Sequence, residues 1–110
     1  MKAKLKTRWL EALRSDRYKQ IFGTLRDRRG FCALGVFCDI ASTDGWEQLR
    51  NGRYILNEIG DGRGQGSDTF LANMGVPIFE QNVISSMNDS GWKTFREIAD
   101  YIEAKIKETP

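Results

Sequence analysis

At 110 residues, with 40% hydrophobic and 29% charged side chains, the chain has the balance of one globular domain, which excludes disorder and a fibrous architecture. A formal net charge of +2 is too small to demand a nucleic-acid partner and argues against an acidic, DNA-mimicking surface, so a charged partner is expected to be anionic. No window approaches about 18 consecutive apolar residues, and the basic start leads into a charged helix, so a cytoplasmic protein with no membrane partner is expected.

The chain has no histidine, so Ser-His and Cys-His dyads and the common zinc patterns are unavailable. Its two cysteines, Cys32 and Cys38, sit in the most apolar stretch and read as reduced, buried thiols instead of a disulfide. No metal, no cofactor and no catalytic residue is expected, because no pair of carboxylates is placed for general acid and base work.

In chain order, residues 3–15 place Leu5, Trp9, Leu10, Ala12 and Leu13 on one face of an amphipathic helix that stops near Ser15 and Asp16. A turn follows at Gly23, and the polar tetrapeptide from Asp27 to Gly30 suits a hairpin. Gly30 to Cys32 read as a short strand, and Ala33, Val36, Phe37 and Ile40 as the stripe of a mostly buried helix. A second hairpin pairs the segment after Trp46 with the segment after Arg53. Its turn is Asn51-Gly52, expected as type I′ with positive φ at both residues.

Gly60 to Gly66 read as a glycine loop that fits neither a P-loop nor a calcium loop. Ser67 or Asp68 is expected to cap a short helix ended by Gly75, with Pro77 keeping that helix from resuming. Residues 82–87 stay open between strand and helix, and Asn88 to Gly91 read as a turn. Thr94 and Glu97 form a capping box ahead of a last helix carrying Ile98, Tyr101, Ile102 and Ile106. The fold expected is α+β, a single compact domain over residues 1–110, with about three to four helices packed on a small antiparallel sheet of hairpins.

The candidate binding residues follow from side-chain chemistry. Arg14, Arg26 and Arg28 can grip phosphate through guanidinium forks; Tyr18 or Trp46 can stack on a base; Asn88 or Asp89 can read a base or ribose edge. Asp39, an acid on an apolar helix, is expected to be paired, with Arg14 or Arg26 as natural partner. The plainer readings are a solvated hairpin tip for the arginines and core packing for Trp9, Trp46, Trp92, Tyr18, Tyr54 and Tyr101.

Several stretches resemble small, mostly uncharacterised proteins encoded by bacteriophages and prophages. They are Trp9-Leu-Glu-Ala-Leu-Arg-Ser-Asp-Arg-Tyr18, Gly23-Thr-Leu-Arg26, Gly30-Phe-Cys-Ala-Leu-Gly-Val-Phe-Cys-Asp39, Met87-Asn-Asp-Ser90 and Phe95-Arg-Glu-Ile-Ala-Asp-Tyr-Ile-Glu103. Such proteins commonly carry a second cysteine where this chain has Ala33, so paired-cysteine chemistry is not carried over. The resemblance implies a phage accessory protein acting in a bacterial cytoplasm. The expected function is non-enzymatic counter-defence. It would act by sequestering an anionic nucleotide signal or by binding and inhibiting a host defence protein, as anti-CRISPR proteins do. The alternative is a small DNA-binding or regulatory protein, less favoured because no helix-turn-helix pattern is present. A homo-oligomer is compatible with either.

Overall fold

A computed structural model of the chain describes residues 1–59, 66–91 and 93–109. Among these residues the elements run α1 (Ala3–Arg14), β1 (Arg26–Asp27), β2 (Gly30–Phe31), α2 (Ala33–Ala41), β3 (Trp46–Gln48), β4 (Tyr54–Leu56), α3 (Gly66–Asn73), α4 (Ile78–Asp89) and α5 (Phe95–Lys105). The fold is α+β, with two departures from expectation. Five helices stand where three to four were expected, and the strands make two separate antiparallel hairpins, β1–β2 and β3–β4, not one shared sheet.

The core forms around α2, whose residues Ala33 to Cys38 are all buried. Trp9 of α1 is fully buried, meets Phe37 edge-on at 4.8 Å between ring centroids, and donates its indole N–H to the Ala33 carbonyl at 3.1 Å. Helix α1 packs on α2 and α5, and α4 on α2, α3 and α5. Leu13, Leu56, Leu71, Ile84, Ile98 and Ile102 close the interior. Cys32 and Cys38 are free and buried, and burial pushes their thiols up to about 11 and about 12. Both thiols therefore stay protonated and unreactive at neutral pH.

Residues 82–87 lie in α4. Its buried positions are Gln81, Ile84 and Asn88, so polar side chains occupy both ends of the apolar stripe and hide the helical period. Asn88 and Asp89 are the last residues of that helix, not part of a turn, and the chain turns after the C-cap Ser90. Pro77 occupies the N-cap position of α4, so a helix does begin directly after it. Proline lacks an N–H that a helix interior needs but that the start of a helix does not. Helix α3 starts at Gly66, so Ser67 and Asp68 fall inside it instead of capping it. It ends as expected: Gly75 has φ 105°, its N–H reaches the Ala72 carbonyl at 3.0 Å, and the Val76 N–H reaches Leu71 at 2.9 Å. The Thr94 capping box is present, with both reciprocal bonds made. The glycine loop at 60–65 and Trp92 lie outside the described residues.

The β3–β4 hairpin has the expected strands but a different turn. The Leu49 N–H donates to the Arg53 carbonyl at 2.7 Å and the Gly52 N–H to Leu49 at 2.9 Å, leaving a three-residue loop from Arg50 to Gly52. Gly52 has φ 89°, whereas Asn51 has no positive φ. This is a type I turn closed by a left-handed glycine, not the expected type I′. Asn51 contributes through its side chain, whose Oδ1 accepts the Arg53 N–H at 2.9 Å.

Candidate functional site

The β1–β2 hairpin pairs Arg26 with Phe31 and Asp27 with Gly30, so Arg28 and Arg29 form its exposed tip. Asp27 fixes that tip by accepting the Arg29 N–H at 2.7 Å and its Nη2 at 2.9 Å. The Arg29 guanidinium in turn holds the Asp27 carboxyl below the usual range. The chain before the hairpin is docked alongside it: the Phe31 N–H donates to the Lys19 carbonyl at 2.9 Å and the Ile21 N–H to the Phe31 carbonyl at 3.0 Å. Gly30 lies against the Lys19 carbonyl, where a Cβ would collide with the oxygen. That close approach brings Lys19 beside the arginine turn.

Behind the tip lies an aromatic cage. The Arg26 guanidinium sits over three rings, 4.1 Å from the centroid of Tyr54, 5.0 Å from Phe31 and 5.4 Å from Trp46. Cation–π attraction of this kind contributes roughly 0.5–2 kcal/mol per contact, more as the cation loses water. Phe31 in turn meets Tyr18 edge-on at 5.0 Å and Trp46 at 6.1 Å. Asp39, reaching from α2, ties the cage together: one carboxylate oxygen accepts the Tyr18 hydroxyl at 2.6 Å and the other the Trp46 indole N–H at 3.0 Å. Burial first, and then this bond to Asp39, push the Tyr18 hydroxyl up to about 12. The expected pairing of Asp39 with Arg14 or Arg26 is therefore replaced by two neutral donors. They satisfy both oxygens of the half-buried carboxylate without an ion pair to either arginine.

Two clefts meet at this hairpin. The first, about 510 Å³, faces the β3–β4 turn and is lined by Arg26, Arg28, Arg29, Arg53 and Tyr54, with Asp27 between them. The second, also about 510 Å³, faces the docked segment and adds Arg17, Tyr18 and Lys19 to the same arginine turn and Tyr54. Among the lining side chains the only carboxylate is Asp27, already bonded to Arg29. The Arg26 Nε is shielded from solvent and has no hydrogen-bond partner among the described residues. A shielded donor of a cation without a partner is costly, and the three rings around the guanidinium offset part of that cost.

Of the sequence candidates, Tyr18, Arg26, Asp39 and Trp46 come together in the cage, and Arg28 stands at its rim. Trp46 does not stack freely, because its edge is bound to Asp39 and its face to Arg26. The other three candidates are engaged elsewhere. Arg14 bonds Asp100 at 2.7 Å and Glu103 at 3.1 Å on α5. Asn88 is buried and fully committed: its Oδ1 accepts from Ala33 N–H and Gln20 Nε2, both at 3.1 Å, and its Nδ2 donates to the Ile21 carbonyl at 2.8 Å. Asp89 accepts the Gly23 N–H at 3.0 Å. These two residues staple α4 to the segment before the hairpin instead of facing a ligand. Sequence reasoning passed over Arg53 and weighed Tyr54 only among aromatics that pack or line a pocket. The signal for both was their position directly after the second turn, opposite the strand that carries Trp46.

Among the described residues no group of acidic or cysteine side chains is arranged to hold a metal ion, and no helix is long and apolar enough to cross a membrane. A family model described as a domain of unknown function, DUF8296, matches residues 1–61, just over half of the chain. That span contains α1, both hairpins and α2, and therefore every residue of the cage and the clefts. No curated protein and no solved structure matches the chain.

Proposed function

We propose that this chain, which belongs to the DUF8296 family, is a non-enzymatic binding protein that captures an anionic nucleotide at the β1–β2 hairpin. One observation carries the reading. Arg26 is fixed by three aromatic rings in the wall of a cleft, and Arg28, Arg29 and Arg53 line the same space. A planar guanidinium held this rigidly loses little freedom on binding phosphate, and the surrounding cations add attraction. In the counter-defence role that the phage resemblance implies, such a protein removes a nucleotide signal by holding it, without turnover.

The test is native mass spectrometry of the protein purified from phage-infected, defence-bearing cells, with AMP titration by calorimetry as the direct measurement. The expected result is a retained nucleotide released intact on denaturation, together with loss of AMP binding in Arg26→Ala but not in Arg14→Ala. Absence of any bound anion in both experiments, or equal AMP binding by the two variants, overturns the reading.

A second reading, docking on a host defence protein, is favoured by Ile78 and Phe79 in the first turn of α4, which are 55% and 70% exposed. It expects a bare protein that co-purifies with a host polypeptide and loses that partner in Phe79→Asp.

A further inference from the structure

The two clefts are not independent, because Arg26, Arg28, Arg29 and Tyr54 line both. Arg53 belongs only to the first, and Arg17 and Lys19 only to the second. We infer that the ligand is a phosphodiester of at least two nucleotides, whose successive phosphates occupy the two clefts on either side of the Arg28–Arg29 turn. This rests on the anion-binding reading above and specifies its ligand.

Three features support a bridging ligand over a single nucleotide. The lining side chains include six cations, Arg17, Lys19, Arg26, Arg28, Arg29 and Arg53, against the single carboxylate Asp27. A chain whose whole net charge is only +2 has thus gathered its positive charge here and left the remainder net acidic. One phosphate leaves most of that charge unmatched, whereas two at separate points neutralise more of it. Next, each cleft is open to solvent, so a nucleotide seated in one is held on one side, while a ligand running through both is held on two. Last, Tyr54 lies where the clefts join, stacked on Arg26, giving the junction an aromatic wall between two phosphate-binding flanks. Alternating cationic grooves and aromatic surface is the pattern by which single strands and short oligonucleotides are gripped.

The shared chemistry has two sources, a free dinucleotide or a segment of single-stranded nucleic acid, and one experiment separates them. The intact protein is titrated with AMP, ADP, the linear dinucleotide pApA and the decamer A10 at fixed salt. ADP carries its phosphates adjacent, so it controls for charge without span.

The expected result is pApA binding at least about tenfold tighter than ADP, because two linked contacts act as one. Arg53→Ala, on one flank, and Lys19→Ala, on the other, should each weaken pApA by about fivefold or more, and Lys19→Ala should change AMP by less than about twofold. A10 binding no tighter than pApA assigns a free dinucleotide, and a further gain with length assigns a strand; both support bridging. Equal affinity for ADP and pApA, or loss on one flank only, overturns bridging while leaving the anion site standing. Failure of all four probes to bind overturns both. Retained helical signal and unchanged melting in the two variants show that any loss is not unfolding.

Discussion

Gly35 has no room for a side chain, because a Cβ there would run into the carbonyl oxygen of Leu25, part of the segment leading into the hairpin. Gly35→Ala is expected to cost about 1–3 kcal/mol in chemical denaturation, as overpacking of a buried site does, with the hairpin displaced from α2. Wild-type stability in that variant would show that the Leu25 segment yields freely. Tyr18 gives a second prediction at this scale. Its folded hydroxyl titrates near 12 against an ordinary value of 10.0, so the neutral form is favoured by folding. The stability this contributes is present in full below pH 10 and is lost as pH rises towards 12. Ultraviolet titration of phenolate should show this late ionisation. Asp39→Asn should move it downwards without returning it to the ordinary value, since burial is the larger cause. A Tyr18 midpoint unchanged by Asp39→Asn would contradict the hydrogen bond.

Elements in this fold are set by their ends. Thr94 and Glu97 cap α5, and Gly75 closes α3, each through local hydrogen bonds that a sequence pattern exposes directly. The β3–β4 turn is subtler, because Asn-Gly serves two turn types and the choice depends on strand twist and register. Only Gly52 needs a left-handed backbone, at φ 89°. Gly52→Ala should therefore cost about 1 kcal/mol, the penalty for forcing a side chain into that region, while Asn51→Asp keeps its bond to the Arg53 N–H and should be nearly neutral. Equal losses at both positions would instead indicate the type I′ geometry. Helix α4 shows the opposite limit. Its buried stripe contains Gln81 and Asn88, whose amides satisfy backbone groups of Val76, Ile21 and Ala33, so hydrophobic spacing could not mark it as a helix.

Across the molecule, charge is unevenly placed, with the cationic clefts on one side and pairs such as Arg14 with Asp100 and Glu103 elsewhere. The pairs around Arg14 involve exposed acids, and exposed pairs contribute about 0–1 kcal/mol. Arg14→Ala is thus expected to leave both melting temperature and nucleotide binding almost unchanged. Nucleotide affinity itself should fall as salt rises, with a shallower slope in Arg28→Ala than in wild type, because a variant that neutralises fewer phosphate charges releases fewer counterions on binding. A slope that does not change in Arg28→Ala would place the turn outside the binding surface.

The α+β class, the helices at both ends, the buried centre from Ala33 to Cys38, both hairpins and the free state of the cysteines were legible in the sequence, because each rests on spacing or on groups within a few residues. The cage was legible only as a set of residue types. Tyr18, Phe31, Asp39, Trp46 and Tyr54 come from five separate stretches, and nothing local says that Asp39 takes two neutral donors while Arg26 turns to the rings. The same holds for Arg14, Asn88 and Asp89, whose partners lie far along the chain and remove them from the site. Hydrophobic period and capping are near-neighbour properties that the sequence determines by itself. Which cation meets which carboxylate or ring depends on distances closed by packing, and only the tertiary structure decides it.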